Sequence, residues 1–224
     1  MRYRVLLLQV AAILTSGSTA SVHGPPAGEN LSHTGVIEGR LVLPRQPARR
    51  RAERYAGGAM QSPRTIQPVP AVVFLRGRVG EPHGPAQVRL AQRDTAFTPA
   101  VVVVSVGSTV EFPNEDPFFH NVFSYSSPQR FDLGRYPGGE SKAVRFDEPG
   151  IVRVYCEVHE TMRSAVIVTE NPYHVIIDGD GVFTMRGVPE GRWQLEVWHP
   201  DLRGSVVEVT VEAGHTTPVT ISLS

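Results

Sequence analysis

Tyr155-Cys-Glu-Val-His-Glu-Thr-Met162 places the only cysteine of a 224-residue chain three residues before His159 and six before Met162. The stretch follows Ile151-Val-Arg-Val154, a β-branched run that reads as a strand. A thiol at the end of a strand, with an imidazole and a thioether on the loop that follows, puts soft and borderline donors at the mouth of a sheet. Such donors select copper, and two His, one Cys and a long axial Met form the trigonal set of blue-copper electron-transfer sites. The loop supplies Cys156, His159 and Met162. The remaining ligand should be a distant histidine, and His120 in Asp116-Pro-Phe-Phe-His-Asn-Val122 is framed for it.

The competing interpretation of the loop is a buried cysteine with a chance His and Met beside it. It requires three soft donors to fall in seven positions of a chain with one Cys and four Met. Spacing alone does not establish His120, since a histidine beside Phe118 and Phe119 also reads as an ordinary, partly buried residue. Asn121 adds weight, because a polar neighbour can hold a ligand loop through hydrogen bonds. His23, His33, His83, His174, His199 and His215 lie in the leader, loops or tail and read as surface residues.

Hydrophobic residues make up 41% of the chain and charged ones 20%, which implies a packed core. The 22 basic and 22 acidic side chains balance, so there is no electrostatic case for a nucleic-acid partner. With 21 Gly, 19 Pro and no long helical periodicity, the profile is that of a turn-rich β protein. Arg2 and Arg4, the apolar run Val5 to Leu14 and the small residues Ser18-Thr-Ala20 read as a secretory signal over residues 1–20. The run is too short to span a bilayer, although an uncleaved anchor is the alternative. The expected product is periplasmic or secreted, with no membrane span after signal cleavage. A lone cysteine there cannot form an internal disulfide, and a free thiol is a poor choice in an oxidising compartment, whereas metal coordination protects it.

Residues 21–34 read as a flexible leader. Gly35 to Leu43 alternates apolar and polar residues and reads as a strand. Residues 44–70 are polar and Pro-rich, with Arg49, Arg50, Arg51 and Arg54 close together, and read as a long mobile, solvated loop. Ala71 to Leu75 is a short apolar strand. Further strands are expected at Val88–Ala91, Val101–Val106, Thr109–Phe112, His120–Tyr125, Lys142–Phe146, Ile151–Tyr155 and Ser164–Val168. Such a series of short strands and turns predicts a Greek-key sandwich. In the tail, Val175–Ile177 is apolar, Asp178–Gly181 and Val188–Gly191 read as turns, and Val182–Met185, Val206–Val211 and Val219–Leu223 read as strands. Trp193, Leu195 and Val197 alternate with Gln194, Glu196 and Trp198. No residues here have the spacing of a nucleophile and its base, so an enzyme is not expected.

Over about residues 87–169 the chain resembles the cupredoxin family. The resemblance is carried by Phe97-x-Pro99, by Val104-x-x-Gly107-x-x-Val110-x-Phe112-x-Asn114, by His120-Asn121-Val122 and by Tyr155-Cys156-x-x-His159-x-x-Met162. The last spacing is more similar to amicyanin than to plastocyanin or pseudoazurin. The resemblance implies one type 1 copper held by His120, Cys156, His159 and Met162, with Asn121 bracing the cysteine loop. Copper oxidases and nitrite reductases of that superfamily place His directly beside the Cys. Here the neighbours are Tyr155 and Glu157, which argues against a redox enzyme of that kind. A second resemblance covers the flanks. Asp178-Gly-Asp-Gly-Val-Phe183 through Val188-Pro-Glu-Gly-Arg-Trp193-x-Leu195-x-Val197 is similar to the carboxypeptidase regulatory-like, transthyretin-like sandwich, whose usual opening strand resembles Gly35-Val-Ile-Glu-Gly39-Arg-Leu41. The expected organisation is all-β: a Greek-key cupredoxin sandwich at 87–169 inserted in or flanked by a second small β-sandwich made of 35–80 and 170–224.

Four filled ligand positions leave no place for a substrate, so electron transfer is favoured over catalysis. Pro117, Phe118, Phe119 and His159 form the expected electron-exit patch. The leading expectation is a one-electron carrier that meets redox donor and acceptor proteins transiently. The rival is a copper-binding or carbohydrate- or envelope-binding protein whose copper serves structure, storage or delivery.

Overall fold

The computed structural model describes residues 33–44, 70–81, 83–177 and 180–224. The signal, most of the leader, the Arg-rich loop and the first half of the Asp178–Gly181 turn lie outside the described residues. In chain order the strands are β1 (Thr34–Val42), β2 (Ala71–Leu75), β3 (Gln87–Arg89), β4 (Ala91–Arg93), β5 (Ala96–Thr98), β6 (Val101–Ser105), β7 (Ser108–Pro113), β8 (His120–Ser124) and β9 (Phe131–Tyr136). They continue as β10 (Ser141–Phe146), β11 (Gly150–Tyr155), β12 (Arg163–Thr169), β13 (His174–Ile177), β14 (Val182–Pro189), β15 (Gly191–Trp198), β16 (Ser205–Val211) and β17 (Thr216–Ser222). No α-helix occurs among the described residues, and none of their segments is a helix long and apolar enough to cross a membrane. The fold is all-β, as the turn-rich composition implies.

Two pairs of sheets each enclose a core. The sheets β10-β7-β3 and β6-β12-β11-β8-β9 come from the middle of the chain. Between them lie Phe112, Val122, Phe146, Val152, Val154 and Val166. The sheets β14-β1-β17 and β13-β2-β15-β16 come from its two ends. β1 runs antiparallel to β14 and parallel to β17, while β2 lies between β13 and β15. Ile37, Leu41, Val73, Leu195, Val197 and Ile221 fill this second core.

The apolar patterns follow from what each face meets. In β1 the burial alternates, because one face covers a core and the other meets solvent. In β2 every residue is buried. Ala71, Val73 and Leu75 point into their own sandwich, while Val72 and Phe74 pack with Trp198 against Val101, Ala165 and Ile167 of the other. The unbroken run AVVFL is thus the signature of a strand covered on both faces. β12 mirrors it, with Val166 and Val168 facing inward and Ala165 and Ile167 facing the neighbouring sandwich. Buried Asn171 ties the two chain crossings together. Its side-chain NH2 donates to the carbonyls of Leu75 and Gly77, and its oxygen accepts from the Tyr173 N–H.

Gly39 in β1 is a packing glycine. A Cβ there would lie 2.1 Å from the Phe183 ring. Gly39→Ala should therefore force the ring aside and cost about 1–3 kcal/mol, as overpacked cores do. The measurement is the thermal midpoint, which should fall by about 2–4 °C per kcal/mol.

Several features differ from the sequence expectation; the strand expected at Val88–Ala91, for one, is divided at Leu90 between β3 and β4. No strand is expected between Tyr125 and Lys142, yet β9 forms there. It pairs with β8, and Gly134 adopts a positive φ of 64°. The Val188–Gly191 turn is shorter than expected: β14 runs through Pro189 and β15 starts at Gly191, because Thr34 and Gly35 of β1 pair with Pro189 and Val188. Trp198, which alternates with Leu195 and Val197 along with Gln194 and Glu196, is nevertheless buried at 4% exposure, because the other sandwich covers that end of β15.

Candidate metal centre

β11 delivers Cys156 one residue past its end, and β12 begins at Arg163, so residues 156–162 form the loop of one antiparallel hairpin. The loop closes on itself. The Cys156 N–H donates to the Met162 carbonyl at 3.2 Å, and the Met162 N–H donates to the His159 carbonyl at 2.9 Å. Met162 is buried in the same core cluster as Cys156. β8 pairs with β11 through Phe123 and Tyr155. That register lays His120, 36 residues away in sequence, beside the thiol: its Nδ1 lies 3.7 Å from Cys156 Sγ and 3.1 Å from His159 Nδ1. One ligand atom from each of the three residues lies within 4.8 Å of the other two, the only such group of three or more His, Cys, Asp or Glu among the described residues.

The tautomer of His120 is set by its far side. The ring is fully buried, and Nε2 lies 2.8 Å from Asp116 Oδ2. Burial pushes the Asp116 carboxyl up, but the Thr95 amide, the His120 imidazole and the Asp94 amide outweigh it and hold the group below the ordinary carboxylate value. An ionised carboxylate only accepts, so Nε2 carries the proton. The lone pair of His120 is therefore on Nδ1, facing the sulfur and the second imidazole.

Asn121, also buried, turns its side-chain oxygen to the Glu157 N–H at 2.6 Å and so ties β8 to the cysteine loop. Asn114 holds the approach to His120: its NH2 donates to the Phe118 and Tyr136 carbonyls, and its oxygen accepts from the Asp116 N–H. Beneath the site the Gln92 amide donates to the Tyr136 hydroxyl, which donates to the Phe112 carbonyl. Burial pushes the Tyr136 phenol well above its ordinary value, which keeps it protonated and donating.

The mouth is apolar. Pro117 is exposed, as are Phe118 at 41% and Phe119 at 56%, and the Phe118 ring centroid is 5.1 Å from that of His120 and 5.6 Å from that of His159. His159 itself is half-buried. Of the histidines expected at the surface, His33, His83, His174 and His215 are exposed, His199 is half-buried, and His23 lies outside the described residues.

Sequence reasoning missed Asp116, Gln92 and Tyr136. The available signal for Asp116 was an acidic residue four positions before a candidate ligand histidine. Gln92 and Tyr136 carry no local signal, because their role exists only through strand pairing.

Residues 86–169 match the family model of copper binding proteins, plastocyanin/azurin family. Among solved structures the chain is similar to a copper-containing nitrite reductase from Thermus scotoductus SA-01, at 28% identity over 40% of this chain and 24% of that one, with a TM-score of 0.37. It spans about a quarter of that protein's length. It is also similar to a purple cupredoxin from Nitrosopumilus maritimus, at 22% identity over 37% of this chain and 99% of that one, with a TM-score of 0.34. Amicyanin from Paracoccus versutus matches at 22% identity over 40% of this chain and 94% of that one, with a TM-score of 0.34.

Copper is the cofactor, and the donor set fits it. A buried thiol and two imidazole Nδ1 atoms, one with its lone pair already turned inward, suit a soft or borderline ion rather than magnesium or calcium. Copper cycling between two oxidation states would supply one-electron chemistry. The protein's part is to hold the donors on paired strands, shut water from His120 and Cys156, and leave one histidine near the surface.

Proposed function

We propose that the protein is an exported, periplasmic or secreted, blue copper protein that carries single electrons between redox proteins and is not itself an enzyme. In this reading His120, Cys156, His159 and Met162 would hold one type 1 copper, and Asn121 would brace the cysteine loop. The observation that carries it is the meeting of His120 Nδ1 with Cys156 Sγ at 3.7 Å and with His159 Nδ1 at 3.1 Å. Electrons would leave through His159 amid Pro117, Phe118 and Phe119. Their exposure supports a small, transient, apolar contact with donor and acceptor proteins.

The segments 35–80 and 170–224 would form one accessory unit, similar to the carboxypeptidase regulatory-like sandwich, with the cupredoxin inserted between them. The pairing of β1 with β14 and β17 supports this. A second reading, recognition of a carbohydrate or envelope component by that unit with copper stored or delivered, is favoured by a groove beside the junction of the two sandwiches. It is lined in part by Arg76, Glu170, Arg192, Trp193, Glu196 and Glu208, a mixture of charge and aromatic surface suited to a polyhydroxyl ligand.

Adding Cu(II) to the purified protein tests the choice. The carrier reading expects one copper per chain, an intense blue thiolate-to-copper absorption and reversible one-electron voltammetry. Colourless binding, or tight Cu(I) binding without reversible cycling, would favour storage or delivery.

A further inference from the structure

Asp116 is buried and stands on the side of His120 opposite the proposed copper position, and the copper reading assigns it no part. Its carboxylate takes three hydrogen bonds. Oδ2 receives His120 Nε2–H at 2.8 Å and the Thr95 N–H at 3.0 Å, and Oδ1 receives the Asp94 N–H at 2.7 Å. Asp94 and Thr95 link β4 to β5 with positive φ values of 54° and 57°. Two successive left-handed residues make a type I′ hairpin turn, which usually draws on glycine. A β-branched threonine there is strained. The turn nonetheless stands, and it aims two adjacent amides at one carboxylate, which compensates the strain with charge-assisted hydrogen bonds. The Asp116 N–H is held in turn by Asn114. The carboxylate is thus fixed from three directions.

We infer that Asp116 is a positioning residue that orients His120 and strengthens it as a ligand, with the 94–95 turn acting as the clamp that keeps the carboxylate in place; the inference rests on the copper reading above. A carboxylate on the far nitrogen raises the basicity of a ligand imidazole and fixes its tautomer. A stronger donor favours Cu(II) over Cu(I), so Asp116 lowers the reduction potential and slows loss of Cu(II). Partners of this kind typically account for 10–100-fold in metal affinity.

The test is Asp116→Asn in the full-length protein, loaded with Cu(II) and then with Cu(I). The amide preserves shape but withdraws the negative charge. Cu(II) affinity should fall by about 10–100-fold. If Cu(I) affinity changes less, the potential rises, by about 59 mV for each tenfold difference in a one-electron couple. A purely structural role would lower the thermal midpoint of the apo-protein without moving the potential. Should the variant fail to fold, proton NMR of the wild-type Cu(I) protein decides: a slowly exchanging, strongly downfield His120 Nε2–H supports the inference, and a rapidly exchanging one overturns it. A wild-type protein that binds no copper overturns both this inference and the copper reading. A blue wild-type whose Asp116→Asn variant keeps the same potential and Cu(II) affinity overturns the inference alone.

Discussion

Cys156→Ser should abolish the visible charge-transfer absorption of the copper-loaded protein and leave the fold intact. The thiol is the only sulfur donor that can bind as an anion, and its charge transfer is the source of the colour. It is 5% exposed at the end of β11 and shares its core cluster with Val154 and Met162. A hydroxyl is close in size, so the strands keep their packing, and the loop bonds from the Cys156 and Met162 amides come from the backbone. A hard oxygen donor in place of a soft thiolate should weaken copper by more than the 10–100-fold typical of an outer partner. Absorption spectra and copper content after dialysis, with circular dichroism as the control for folding, check this. A Ser variant that stays blue would place the copper elsewhere.

Trp198→Ala should strongly destabilise the junction of the two sandwiches. The side chain packs with Val72 and Phe74 against Val101, Ala165 and Ile167, so its removal leaves a cavity between the two sandwiches. Large aromatic truncations of this kind cost about 3–5 kcal/mol. At about 2–4 °C per kcal/mol the thermal midpoint should fall by roughly 6–20 °C. Trp198→Phe should cost far less. Its indole Nε1 has no hydrogen-bond partner among the described residues, so replacing it with an apolar ring removes an unpaired buried donor and offsets part of the lost contact. The blue absorption should survive both changes, because the junction contacts β6 and β12 rather than the donor atoms. Equal midpoints for the Ala and Phe variants would show that the ring contributes little at this interface.

Much of the site was legible because its chemistry is local. Cys156, His159 and Met162 share one hairpin loop, so their spacing is a property of seven consecutive residues. His120 needed the further assumption that β8 lies beside β11, which the alternation of neither strand states. Strands such as Ala71–Leu75, Val101–Val106 and Ile151–Tyr155 agree with the sequence expectation to within a residue, whereas β14 runs on to Pro189 and β17 begins already at Thr216. β9 was lost because its register partner, rather than its composition, makes it a strand. Trp198 lies on the face that alternation along β15 gives it, opposite Leu195 and Val197, but that face does not meet solvent at this end of the strand. A second sandwich covers that side, and the same cover explains why β2 is apolar throughout.

The sequence by itself determined the class of fold and pointed to the candidate donors Cys156, His159 and Met162, since alternation, turn residues and donor softness are carried by neighbouring side chains. The tertiary structure alone decided three things: that Asp116 backs His120, that two left-handed residues near position 95 hold Asp116, and that Trp198 is sealed between two sandwiches. The first joins residues only four apart, whose spacing shows in the sequence but whose orientation does not; the other two depend on which strands lie side by side, and contacts between residues distant along the chain leave no periodic trace in it.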